Sequence, residues 1–143
     1  MKRFQEKWNA SGVEPAAYIP LYPACITTYI GDSDVAERPI RIFSGASDDY
    51  VEIAPCRAYV SRLRATRKGV ILTEFADTWH SFDVPLIPST PTIAPNAQIT
   101  HCVLKEGPTG IVVNTGTMKP FTYADDCVTR DAHLAYSASA THA

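Results

Sequence analysis

Apolar residues along the chain fall into short blocks separated by prolines, glycines and acidic turns, and the rhythm of the blocks changes near residue 85. At the start, Phe4 and Trp8 stand at helical spacing with charges between them. Asn9-Ala-Ser-Gly12 follows, so the pattern predicts the end of an amphipathic helix. Ala16-Ala-Tyr-Ile-Pro-Leu-Tyr22 is a continuous apolar and aromatic run between prolines, the pattern of a strand buried on both faces. Pro39-Ile-Arg-Ile-Phe43 predicts a second strand, which ends in Ser44-Gly-Ala-Ser-Asp-Asp49, a stretch with turn chemistry. From Pro55 the period becomes helical. Tyr59, Val60 and Leu63 fall on one face, Arg57, Arg62, Arg64, Arg67 and Lys68 form a solvated opposite face, and Gly69 is the stop. Val70-Ile-Leu-Thr-Glu-Phe75 predicts a third strand, running into a loop over residues 76–83. Strand, helix and strand joined by short loops form a right-handed βαβ unit, so these strands are expected to lie parallel in an α/β arrangement.

Beyond that point Pro85, Pro88, Pro91 and Pro95 mark an extended, irregular connection. Residues 99–105 and 110–114 alternate apolar and polar positions around Glu106-Gly-Pro-Thr-Gly110, which predicts a β-hairpin. An extended piece at 120–123 leads to Cys127, and the small residues of 137–143 stop without a cap. The chain therefore divides into an α/β portion over 1–88 and a proline-rich connection with a hairpin extension over 89–143.

A length of 143 residues suits a single domain. Thirteen Lys and Arg against fifteen Asp and Glu leave no basic excess to neutralise phosphates, so nucleic acid is not an expected partner. The most apolar stretch, 16–30, is broken by Pro20 and Pro23 and is too short for the roughly 20 residues of a membrane span. The four cysteines, at 25, 56, 102 and 127, show no C-x-x-C pair and no histidine at finger spacing, which argues against structural zinc. They are either disulfides or inert buried thiols. Of the possible connectivities, the sequential one has reasons behind it. Cys102–Cys127 would tie the ends of the hairpin region together, and Cys25 and Cys56 both fall at the carboxyl ends of predicted strands. Such bridges would favour a periplasmic or secreted protein. No cofactor is implied.

In open α/β sheets function lives in the loops at the carboxyl ends of strands. Asp48-Asp49 follows the second strand and His80 the third. A carboxylate bonded to one imidazole nitrogen fixes the tautomer and leaves the other nitrogen free as a base. The plainer reading is a capping aspartate and a surface histidine. Asp49 is read as a loop residue bonding backbone, Trp79 as a pocket wall or a packed aromatic, His101 as a surface strand residue and His133 as solvated. Asp77 and Asp83 bracket His80 at three-residue spacing, but without a second histidine they make a poor metal site.

Residues 42–49, 54–57 and 74–83 resemble the acid loop, the following helix and the histidine loop of the dienelactone hydrolase family of α/β-hydrolases. There a glycine precedes the triad aspartate by three residues, and a small or aromatic residue precedes a His-x-Phe. The resemblance implies that Gly45 leads to Asp48 as the triad acid and that His80, in His80-Ser-Phe82, is the general base. Trp79 would then face substrate. The tail from Cys102 to Tyr136 is similar to an elaboration in a subset of these proteins. The implied activity is hydrolysis of carboxylic esters or lactones by a Ser/Cys-Asp-His triad.

One part of the pattern is absent. A nucleophile elbow reads G-x-S-x-G, whereas Gly31-Asp-Ser-Asp-Val35 and Gly45-Ala-Ser-Asp-Asp49 both lack the closing glycine. The resemblance therefore implies the C-terminal half of an α/β-hydrolase, parallel strands with helices plus a disulfide-tied hairpin extension. Its nucleophile and oxyanion donors would lie in a missing N-terminal half of the same protein. On this reading the 143 residues alone are inactive, and the first strand's outer edge leaves apolar surface near Tyr18 and Ile19. The alternative is a non-catalytic binding or structural domain in which the His–Asp pair is a remnant.

Overall fold

Strands β2 (Ile40–Gly45) and β3 (Val70–Phe75) run parallel and in register, Ile40 opposite Val70 and Gly45 opposite Phe75, in a computed structural model that describes residues 12–66 and 68–143. The helix expected at Phe4 and Trp8 lies outside the described residues. Helix α1 (Ile53–Ala65) connects the two strands and buries Ile53, Cys56, Val60 and Leu63. It begins two residues before Pro55, which places the proline in the first turn, where backbone N–H groups have no intrahelical acceptor. The side chains of Val60 and Leu63 close on Ile40, Ile42 and Val70, with Val35 completing the cluster. The basic face of α1 is exposed and also carries ion pairs: Arg57 bonds Glu74 of β3, and Arg62 bonds Asp32 at 2.6 Å.

The parallel core does not extend further, and the expected half of an α/β-hydrolase core is corrected by what the rest of the chain does. Residues 16–22 form no strand. They touch β2 through isolated parallel bridges, Tyr18 with Ile40 and Leu21 with Phe43. Pro20 and Pro23 supply no N–H, so a continuous ladder cannot form across them. Ile19 on this segment is 64% exposed, whereas Tyr18 packs against the core. After β3 no helix returns. The chain enters a turn and then a segment whose prolines exclude one. Among the described residues the helices are α1 and the four-residue α2 (Ala138–Thr141), and the remaining sheets are short and antiparallel or mixed. A doubly wound sheet needs a covering helix after each strand; here a single βαβ unit has one.

The remaining strands form three small sheets. β1 (Thr27–Thr28) pairs in parallel with β6 (Leu104–Glu106), β6 with β7 (Val112–Asn114) as the expected hairpin, and β7 with β8 (Lys119–Pro120). The hairpin is shorter than its pattern, because β5 (Ile99–Thr100) leaves to pair with β9 (Val128–Thr129). The proline-rich connection is not wholly irregular: β4 (Thr92–Ala94), between Pro91 and Pro95, pairs with β10 (Ala132–Leu134). Two disulfides join Cys25 to Cys56 and Cys102 to Cys127. The chain end is capped after all. The Ser137 hydroxyl accepts the Ala140 N–H, and the Ser137 N–H and Thr141 hydroxyl both donate to the Phe82 carbonyl. Among the described residues no helix is long and apolar enough to cross a membrane.

Candidate active site

Gly45 is required where β2 turns out of the sheet, because a Cβ there would lie 2.1 Å from the Thr78 carbonyl oxygen. That absence of a side chain lets the two loops beyond β2 and β3 lie on one another. Ala46 N–H donates to the Phe75 carbonyl, and Ser47 N–H to the Thr78 carbonyl at 3.0 Å. Asp48 comes next and is 4% exposed. Its Oδ1 accepts the N–H groups of Tyr50 and Val51, a turn that aspartate forms readily, and its Oδ2 lies 2.9 Å from His80 Nδ1. A carboxylate only accepts, so Nδ1 carries the hydrogen and Nε2 presents its lone pair. No described residue hydrogen-bonds Nε2.

Two tyrosines pack on the imidazole, with ring centroids 4.2 Å away at Tyr22 and 4.7 Å at Tyr50. Tyr22 donates its hydroxyl to Asp83 Oδ1 at 2.8 Å. Burial, reinforced by the Asp83 carboxylate, pushes the Tyr22 phenol up to about 12. Three residues around the base have left-handed backbones: Tyr22 (φ 35°), Asp77 (φ 50°) and Ser81 (φ 62°). Such conformations cost free energy in non-glycine residues and persist where surrounding contacts hold them.

The other sequence candidates are distributed around this pair. Trp79 does not cover His80; its ring lies 5.2 Å from that of His133. His133 is not simply solvated, and Asp49 does not merely serve its own loop. Asp49 Oδ1 accepts the His133 N–H, and Oδ2 lies 2.7 Å from His133 Nδ1. Sequence reasoning missed this second pair because its partners are 84 residues apart and join a loop to a three-residue strand. His101 also has partners, Glu52 at Nδ1 and the Thr129 hydroxyl at Nε2. Asp83 is taken up by Tyr22 rather than gathering with Asp77 and His80. Among the described residues one trio of metal-ligand types comes together, Cys102, Asp125 and Cys127, and both sulfurs there are committed to the disulfide. Asp125 is instead held by the Asn114 amide, the chief cause lowering its pKa. An apolar cavity of about 260 Å³ opens among Tyr18, Val35, Ile40, Ile42 and Tyr59, and neither Asp48 nor His80 lines it.

The arrangement is chemically that of a base: a buried, doubly anchored carboxylate orients an imidazole whose far nitrogen is free to take a proton. All four cysteines are in disulfides, so no thiol stands in as a nucleophile. Neither a protein-family model, nor a curated protein, nor a solved structure matches the chain.

Proposed function

We propose that this chain carries the base-bearing part of a hydrolase acting on carboxylic esters or lactones, similar in chemistry to the dienelactone hydrolases. The observation that carries the proposal is the 2.9 Å contact from Asp48 Oδ2 to His80 Nδ1 with Nε2 left unbonded by the described residues. His80 Nε2 takes the proton of a Ser or Cys nucleophile as it attacks the carbonyl carbon. It then returns that proton to the departing alkoxide, and the cycle repeats with water. Asp48 keeps the ring in the required tautomer and stabilises the imidazolium. The reading requires a nucleophile and oxyanion donors supplied by polypeptide other than these 143 residues, since no G-x-S-x-G elbow occurs among them. Trp79, whose ring lies against His133, is the substrate-facing aromatic of the proposal. The two disulfides suit an oxidising compartment.

The test is to assay p-nitrophenyl esters and simple lactones with the 143-residue chain and with a longer polypeptide that takes in any coding sequence in frame before it. The longer polypeptide should turn over, the 143-residue chain should not, and His80→Ala in the longer form should lower kcat by about 10²–10⁴-fold. A translational start at Met1 with no partner polypeptide, or turnover indifferent to His80→Ala, overturns the reading. One observation favours a second reading, a structural clamp in a non-catalytic domain: the His80 side chain is only 12% exposed. In that case His80→Ala would cost stability and no ester would be cleaved by either form.

A further inference from the structure

The side chain of Tyr22 meets three residues of the histidine turn, His80, Phe82 and Asp83. Its ring is 4.2 Å from the imidazole of His80 and packs edge-on to Phe82 at 5.5 Å. Its hydroxyl donates to Asp83 Oδ1 at 2.8 Å. The turn it covers is also tied to the end of the chain, where Ala135 N–H donates to the His80 carbonyl and Ser137 N–H to the Phe82 carbonyl. Ser81 is left-handed, and within the turn the backbone bond is Val84 N–H to the Ser81 carbonyl. Tyr22 itself is held in a left-handed conformation by its N–H, which donates to the Phe43 carbonyl at 2.6 Å, and by the Leu21–Phe43 bridge just before it. Three residues further on, the Cys25–Cys56 disulfide ties the same segment to α1. A bulky residue held at positive φ, with its hydroxyl taken up and its ring on an imidazole, is backbone strain maintained by tertiary contacts.

We infer that Tyr22 is a positioning residue: it is the surface against which the His80–Asp83 turn packs, and it holds the His80 ring with Nδ1 on Asp48. Asp48 alone fixes one point of the imidazole, and a ring pivoting on one hydrogen bond still swings. The rings of Tyr22 at 4.2 Å and Tyr50 at 4.7 Å restrict that freedom. The inference deepens the proposed hydrolase reading, because a base acts only when its free nitrogen points at the proton it removes.

The experiment needs no turnover, so its outcome is separate from that of the ester assay. The full 143-residue chain with ¹⁵N-labelled histidine is examined by NMR for the His80 tautomer and for solvent exchange of the Nδ1 proton. The native chain should show a single Nδ1–H tautomer. Tyr22→Phe keeps the ring and should keep the tautomer while exchange quickens by about threefold, as expected for loss of one modest hydrogen bond. Tyr22→Leu should quicken exchange by about tenfold or more and mix the tautomers. Val60→Ala, in the buried cluster under α1, serves as a control for general destabilisation and should leave both readouts unchanged. An unaltered tautomer and exchange rate in Tyr22→Leu, or an equal effect from Val60→Ala, overturns the inference. Should Tyr22→Leu not fold, Tyr22→Phe decides, and native exchange there rejects it. Positioning with no ester cleavage by the longer polypeptide would leave Tyr22's role standing and the hydrolase reading rejected.

Discussion

Asp48 uses its two oxygens for different purposes, Oδ1 to close its own turn on Tyr50 and Val51 and Oδ2 to hold His80. The turn anchors the carboxylate, and the anchored carboxylate fixes the imidazole. What brings the pair together lies three residues earlier, at Gly45, where even one methyl group would collide with the Thr78 backbone. Gly45→Ala should therefore cost about 1–3 kcal/mol in urea unfolding, the usual scale for overpacking a rigid site, and should lengthen or break the Asp48–His80 bond as read from the Nδ1 proton. A second residue-scale consequence concerns Tyr22, whose phenol is raised from 10.0 to about 12 in the fold. A group raised on folding favours the native state while it is protonated. Its contribution is complete below pH 10 and is lost as pH climbs through about 12. Urea midpoints measured from pH 8 upward should show a fall over that window, and Tyr22→Phe should reduce it. A curve identical in the two proteins would contradict the assignment.

At the scale of elements, the chain contains one unit that supports itself and several that do not. β2, α1 and β3 bury a shared cluster and pair over six residues. β6 and β7 have three residues each and β8 two, shorter than strands that persist alone. These short strands are held by the Cys102–Cys127 bridge, which spans 25 residues. On the chain-entropy account a loop of this size contributes about 3–4 kcal/mol. Replacing both cysteines by alanine should strip amide-exchange protection from β6 and β7 while β2 and β3 keep theirs. Equal loss across all four strands would mean that the elements unfold as one.

At the scale of the whole molecule, the extension is part of the candidate site's frame. Ala135 N–H donates to the His80 carbonyl, Ser137 N–H and the Thr141 hydroxyl to the Phe82 carbonyl, and His133 occupies both oxygens of Asp49. Residues 132–141 thus brace the loops that carry Asp48 and His80. The local features were legible in the residues. Apolar runs marked β2 and β3, a helical period marked α1, and cysteines placed at predicted strand ends and around the hairpin suggested the sequential disulfides that form. The extent of the parallel core was not legible. The run from Ala16 to Tyr22 is apolar enough for a strand, yet its prolines reduce it to isolated bridges. By itself the sequence determined what short-range sterics and periodicity encode: which residues form the central unit and which loop chemistry closes it. Only the tertiary structure decided that Tyr22 folds over His80, that His133 meets Asp49, and that the later strands make small sheets of their own. Those contacts join residues dozens of positions apart through strands of two or three residues, too short to leave a period in the chain.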